Sequence, residues 1–302
     1  MSTVVVLGSF NMDLVVTVKS LPGPGETVLG NTFQRGPGGK GSNQAIGARR
    51  LGAEVSFIGA VGDDEFGAAA HRLYAHEGID ASGLAVVEQP TGVALIVVDE
   101  QAENQIAVAP GANLTLSAHT AQQHEAIIAE ADVLISQLET PVEAFIEAAR
   151  IARAHGTVVV LNPAPATELP EGAWEHIDIL IPNQHELISL AGIENPEWAA
   201  TALRNRGDID VVVTRGPFGA TWTGAHGSQR FPAVSANAVD TTGAGDAFSA
   251  GLAVGVAESG DIATGIALGL RAGAHAVTRV GVIDGLATRE QLDAAFPEIA
   301  VP

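Results

Sequence analysis

The 302-residue chain is predicted to fold as an α/β protein on a largely parallel sheet, and two observations carry that prediction. Short apolar runs alternate with helical patterns over nearly the whole length, the pattern of βαβ units. Two stretches break the alternation with β-rich sequence that has no helix of its own, which points to a second, smaller sheet or to an extended edge of the first. A chain of this length can bury a large core, as one domain or as a main domain with an accessory one.

The strands are expected at 4–7, 55–58, 133–136, 158–161, 177–181 and 211–214, where β-branched and aliphatic residues run together. Helical periodicity lies between them at 41–51, 67–77, 142–154 and 197–206. In such a doubly wound sheet, ligands sit beyond the carboxyl ends of the strands. Residues 14–37 surround the turn-forming LPGPGE, and 91–99 with 104–108 read as a hairpin. Near the end, 247–256 and 262–277 form two apolar helical runs whose alanine and glycine content permits close packing.

Charge and composition narrow the function. The chain has 35 acidic against 15 basic residues and a formal charge of −20. This argues against a nucleic-acid backbone or an anionic membrane surface as partner. An anionic nucleotide would need a local site: a helix N-terminus, a metal ion or a few placed cations. Without cysteine there is no disulfide, thiolate nucleophile or cysteine-bound metal. The first residues, MSTVVVLGSFNMD, lack a basic n-region and read as a first strand, and no apolar stretch is long enough to span a bilayer, so a cytoplasmic protein is expected.

The most informative segment is VDTTGAGDAF, 239–248. A turn enters a helix whose first N–H groups lack intrahelical partners, so Gly243, Ala244 and Gly245 could direct donors at a phosphoryl group. Asp246 could then receive the proton of an attacking hydroxyl. It could equally be a first-turn acid stabilised by the helix dipole, and Asp240 could be a turn cap. A second glycine-rich segment, RGPGGKGSNQA at 35–45, also leads into a helix. There Gly39 belongs to a tight loop, Lys40 offers a cation and Asn43 a two-sided hydrogen bond for a hydroxylated ligand. Lys40 is one of only two lysines in the chain, and a solvent-facing loop lysine is the alternative.

Three further positions have two readings each. Asn11 and Asp13, after the first strand, could grip sugar hydroxyls or satisfy their own turn. Glu139, just beyond 133–136, has the same two readings. Asn183 and Glu186, in PNQHE, could organise magnesium-bound water near phosphates, or form a capping box at a helix start. Competing signatures are missing: there is no GxxxxGK[ST] loop, GxGxxG fingerprint, GxSxG elbow or HExxH pair.

GGKGSNQA at 38–45 and DTTGAGDAF at 240–248, in that order and separation, resemble the two signatures of the ribokinase (PfkB) family of carbohydrate kinases. The resemblance extends through GSFNMD, TGVALI, APGAN, QLE, LNPAPA, PNQHE and TRG, and so covers essentially the whole chain. It implies a three-layer α/β core with a mostly parallel sheet (1–13, 38–90 and 111–302) and a small β-sheet lid (14–37 and 91–110) that forms a homodimer contact. It implies ATP-dependent phosphorylation of D-ribose at the 5-hydroxyl. Kinases for deoxyribose, fructose, a sugar acid or a nucleoside are the nearest alternatives, and a non-catalytic sugar-binding protein a further one.

Carried over by resemblance, Asn11, Asp13, Gly39, Lys40, Asn43 and Glu139 surround the sugar, and Asp246 activates its hydroxyl. Gly243, Ala244 and Gly245 form the anion hole. Asn183 and Glu186 lie near the phosphates and Mg2+, which Glu186 meets through water, while Thr214, Arg215, Gly216 and Gly219 line the nucleotide approach. A K+ site falls to Asp240 and Thr242 on one side and to Ala276, Arg279, Gly281 and Gly285 on the other. Gly285 stands where the family commonly has serine, and Gly269 and Leu270 replace a polar residue often found at the adenine wall.

Overall fold

The computed structural model describes residues 2–101 and 103–296; residue 1, residue 102 and 297–302, which fall inside the ranges expected above, lie outside the described residues. In chain order the strands are β1 (Thr3–Leu7), β2 (Asn11–Val18), β3 (Gly30–Gly38), β4 (Glu54–Gly62), β5 (Asp80–Val87), β6 (Gly92–Val98), β7 (Asn104–Ala109), β8 (Val133–Ser136), β9 (Val158–Leu161), β10 (Ile179–Leu180), β11 (Asp210–Thr214), β12 (Ala220–Gly224) and β13 (Gly227–Phe231). The helices are α1 (Lys40–Arg50), α2 (Glu65–Glu77), α3 (Ala118–Gln123), α4 (Glu125–Ala129), α5 (Val142–His155), α6 (Gln184–Ala191), α7 (Pro196–Gly207), α8 (Ala244–Ser259), α9 (Ile262–Ala276), α10 (Val282–Gly285) and α11 (Arg289–Ala295).

Nine strands form one sheet in the order β13-β12-β11-β10-β9-β8-β1-β4-β5. Pairing is parallel from β5 to β11, and β12 and β13 close the far edge as an antiparallel hairpin. Strand β1 shows why the layers form. Val4 and Val6 point into a core shared with α1, α8 and α9, and Val5 and Leu7 into a second core shared with α5 and α7. Side chains alternate across a strand, so an uninterrupted apolar run is buried on both faces and needs helices on both. The result is the expected three-layer core. Helices α8 and α9 pack closely enough that a Cβ on Gly251 would lie 2.8 Å from the Gly269 Cα.

Three differences from the sequence expectation have simple causes. The strand expected at 177–181 narrows to β10, although Asp178 and Ile181 still donate to the Val159 and Leu161 carbonyls of β9. Strand β5 escapes periodicity because it is a partly exposed edge strand carrying Ser82 and Gly83. The β12–β13 hairpin turns through Ala225 and His226, without an Asn-Gly or Asp-Gly signal.

A second sheet of four strands, β3-β2-β6-β7, forms the small lid. It starts at Asn11, separated from the end of β1 by three residues, and not in a longer turn. Asn11 to Asp13 find backbone partners on both sides, in Gly36 to Gly38 and in Gly92 to Ala94, so this stretch is strand. The two sheets are therefore joined through Gly8, Ser9 and Phe10 at the carboxyl end of β1.

Candidate active site

Asp246 is the third residue of α8, is only 6% exposed, and does not cap its own helix. Its carboxylate is held from another helix: Asn43 Nδ2 donates to Oδ2 at 2.9 Å and Gln44 Nε2 to Oδ1 at 3.0 Å, both from α1. Asp246 does lie in the first turn of α8, and these contacts add two donors from another helix. A carboxylate is buried at the carboxyl end of a parallel sheet only where donors replace its water.

Gly243 precedes α8 at φ +77°, a conformation that favours glycine, and a Cβ there would lie 2.6 Å from the Val282 side chain. Ala244 N–H bonds the Thr241 carbonyl at 3.3 Å. The N–H groups of Gly245 and Asp246 find no acceptor among the described residues. Gly243, Gly245 and Asp246 share a cleft with Lys40, Glu186 and Thr214, with Asn162 and Ser249 also in its wall.

On the sugar side, Lys40 opens α1 and Gly39 precedes it at φ +88°. Glu139 reaches back to this helix start: its Oε2 accepts from Lys40 N at 2.9 Å and from the Ser9 hydroxyl. Asp246 is the main cause that holds the Lys40 ammonium above its ordinary range; burial opposes this, and Glu139 and Glu186 add to it. Asp13 is raised to about 6, by burial first and then by Glu139 and Asp246. Asn11 Oδ1 accepts from Asn113 Nδ2 at 2.8 Å, and Asn113 also exchanges bonds with the Phe10 backbone. Asn43 Oδ1 is buried without a protein partner.

Asn183 and Glu186 form the reciprocal capping box of α6, each side chain bonded to the other's N–H at 2.8 Å. Burial raises the Glu186 carboxyl, with Asp246 adding to it, while the Asn183 N–H, Lys40 and His185 lower it. Thr214 pairs beside Asn183 and lines the cleft, but Arg215 does not. Its side chain lines a separate cavity of about 300 Å³ beside α7 and stacks 6.0 Å over Phe218. Gly216 and Gly219 frame the short 3-10 turn between β11 and β12.

Asp240 accepts from Thr242 N–H and hydroxyl at 2.9 and 2.6 Å through one oxygen, and from Gly281 N–H at 2.9 Å through the other. Burial pushes this carboxyl up, but the Gly281 and Thr242 donors win and hold it below its usual range. Ala276 and Arg279 share a backbone bond of 3.4 Å, and the Gly285 carbonyl accepts from His275 Nδ1 at 2.9 Å.

Sequence reasoning did not single out Ser9, Gln44, Asn113, Gln137 or Asn162. The last four carry carboxamides that bond to side chains far away in sequence, which spacing along the chain cannot reveal.

A three-layer α/β core, a small β lid and a buried carboxylate beside an open helix N-terminus define a phosphotransferase of the sugar-kinase class. Residues 1–289 match the model of the pfkB family carbohydrate kinases, and the chain belongs to that family. It is 39% identical to a ribokinase of Haemophilus influenzae over 96% of each chain, and 33% identical to a deoxyribokinase of Salmonella typhi over 96% of this chain and 97% of the relative. The solved structure of Arabidopsis thaliana ribokinase complexed with ribose and ATP superposes with a TM-score of 0.91 at 28% identity, over 99% of this chain and all of that one.

Proposed function

We propose that the protein transfers the γ-phosphoryl group of ATP to the 5-hydroxyl of D-ribose, giving D-ribose 5-phosphate and ADP, with Asp246 as the base. The observation that carries the reading is the buried Asp246 carboxylate, fixed through both oxygens and adjacent to unpaired N–H groups of its own helix. A base must reach the attacking hydroxyl while donors await the charge that builds on the moving phosphoryl. Asn11 Nδ2, the Asn43 Oδ1, Asp13 and the second oxygen of Glu139 supply the mixed donors and acceptors that a polyhydroxyl sugar needs. Lys40 stands beside Asp246 to offset charge on the transferred group, and Gly39 lets the backbone approach. Thr214, Arg215, Gly216 and Gly219 border the nucleotide, in the cytoplasm where ATP and free sugar meet.

The residues fit a magnesium ion that arrives with the nucleotide. No group of three or more His, Asp or Glu side chains among the described residues could hold a metal alone, yet three carboxylates, Asp246, Glu139 and Glu186, act on the single ammonium of Lys40. Glu186 and Asn183 would hold the ion's water shell, and the ion would neutralise the outer phosphates. A potassium ion would be held by Asp240 and Thr242, with the backbone of Ala276, Arg279 and Gly281; the Gly285 carbonyl accepts from His275 and keeps a second lone pair. The lid sheet exposes half or more of Phe33, Leu95, Ile106 and Val108, which supports a homodimer through the lid.

The relatives include a deoxyribokinase, so the test is a substrate panel with direct detection of the sugar phosphate. D-Ribose is expected to give ribose 5-phosphate with kcat/KM at least about tenfold above 2-deoxyribose, because a lost hydroxyl leaves its buried partners unpaired. Preferred turnover of deoxyribose or fructose would overturn the assignment of ribose. ATP consumption without sugar phosphate would overturn the kinase reading.

A further inference from the structure

Gln44 is fully buried beneath the cleft, and its amide is committed at three points. Nε2 donates to Asp246 Oδ1 at 3.0 Å and to Asn162 Oδ1 at 3.1 Å, and Oε1 accepts from Gln137 Nε2 at 2.5 Å. Asn162 in turn donates through Nδ2 to the Ile181 carbonyl at 2.9 Å. These groups come from α1, from the ends of β8 and β9 and from the segment after β10, so the network ties four parts of the fold to one carboxylate.

The network has a single polarity. A backbone carbonyl only accepts, so Ile181 fixes which end of the Asn162 amide is nitrogen and turns Oδ1 towards Gln44. An ionised carboxylate also only accepts, so both Asp246 and Asn162 require Gln44 to present Nε2. A flipped Gln44 would set its oxygen against two oxygens and its nitrogen against the Gln137 nitrogen. Asn43 reaches the other Asp246 oxygen but keeps its own Oδ1 free, whereas Gln44 keeps nothing free and does not line the cleft. Both groups that bond the carboxylate, Asn43 and Gln44, are neutral amides.

We infer that Gln44 is a positioning residue for Asp246, keyed by Gln137 and Asn162, that fixes the carboxylate rotamer. This rests on Asp246 acting as the base.

The test is steady-state kinetics for Gln44→Met, which keeps the length and removes the donors. The expected result is a fall in kcat of about 10- to 100-fold with KM for sugar and ATP within about threefold. Wild-type kcat overturns the proposal. In an Asp246→Asn background the same substitution is expected to cost nothing further, and an undiminished extra loss there overturns it, since Gln44 would then act on something other than Asp246. Near-normal turnover of Asp246→Asn alone would instead sink the base assignment, which separates the two failures. If Gln44→Met does not fold, Gln137→Met removes the key alone: a severalfold loss in kcat with KM unmoved supports the inference, and wild-type kcat overturns it.

Discussion

Two glycine loops lead into two buried helices at the same end of the sheet, and the two helix starts are finished differently. At α1, Gly39 sits at positive φ, no side chain caps the helix from within its own turn, and the donors are consumed by the protein: Lys40 N–H by Glu139, Gly41 N–H by the Ser9 hydroxyl and Ser42 N–H by the Ser9 carbonyl. At α8, Gly243 also sits at positive φ without a side-chain cap, but Gly245 and Asp246 keep their N–H groups free. The same local sequence device therefore makes one closed end and one open end. A closed end fixes side chains such as Lys40 and Asn43 in place. An open end presents unpaired donors and partial positive charge to an incoming anion.

The comparison is broken most directly at the open end. Gly243→Ala places a methyl group against Val282 in a backbone conformation unsuited to alanine, so the turn must shift and carry the Gly245 N–H with it. Loss of one aligned donor to developing charge costs about 10²- to 10³-fold in kcat in comparable sites. We expect a loss of that order with sugar KM changed little, measured by steady-state turnover. A variant with wild-type kcat would show that this helix start is no anion hole.

The charge that gathers around the closed end sharpens the contrast through pH. Burial, Glu139 and Asp246 raise Asp13 to about 6, so its carboxyl takes up a proton as pH falls through that value. Sugar hydroxyls that donate to Asp13 bind the ionised form. Binding is therefore favoured above about 6 and weakened below it, and at pH 5 only about a tenth of the free sites are ionised. Sugar KM is expected to rise roughly tenfold between pH 7 and 5, and Asp13→Asn should flatten the dependence. A KM that rises equally in Asp13→Asn would assign the effect to another group.

Much of this was legible in sequence, for reasons that differ by residue. Val4 to Leu7 announced a strand buried on both faces because burial on both faces demands an unbroken apolar run. Asn183 and Glu186 announced a helix start because a capping box is local, and the structure contains it. The spacing of Asp246 left two readings open because the bonds that bear on them, from Asn43 and Gln44, span about two hundred residues. Gln137 and Asn162 lie in QLE and LNPAPA but gave no sign of their role, since a carboxamide has no spacing rule and meets its partner only when separate strands come together. Arg215 shows a different limit: its motif gives no sign that, after β11, it lines a cavity beside α7.

The smallest expected effect tests the closed end. Ser9 is fully buried between β1 and β2, and its hydroxyl joins Glu139 to the start of α1 while accepting from Gly41 N–H at 3.4 Å. Ser9→Ala removes both bonds and leaves Gly41 N–H without its acceptor, but keeps the Lys40 N–H bond to Glu139 and the Ser42 N–H bond to the residue 9 carbonyl, so most of the helix start stays closed. The loss should be about 1 to 3 kcal/mol of stability by denaturant melting, the usual worth of two hydrogen bonds. Turnover at saturating sugar and ATP should stay within about threefold, because no donor that meets the phosphoryl group is touched. A loss of kcat as large as that of Gly243→Ala, with stability unchanged, would mean that the start of α1 also meets the reacting phosphoryl group and that the two helix ends share one task.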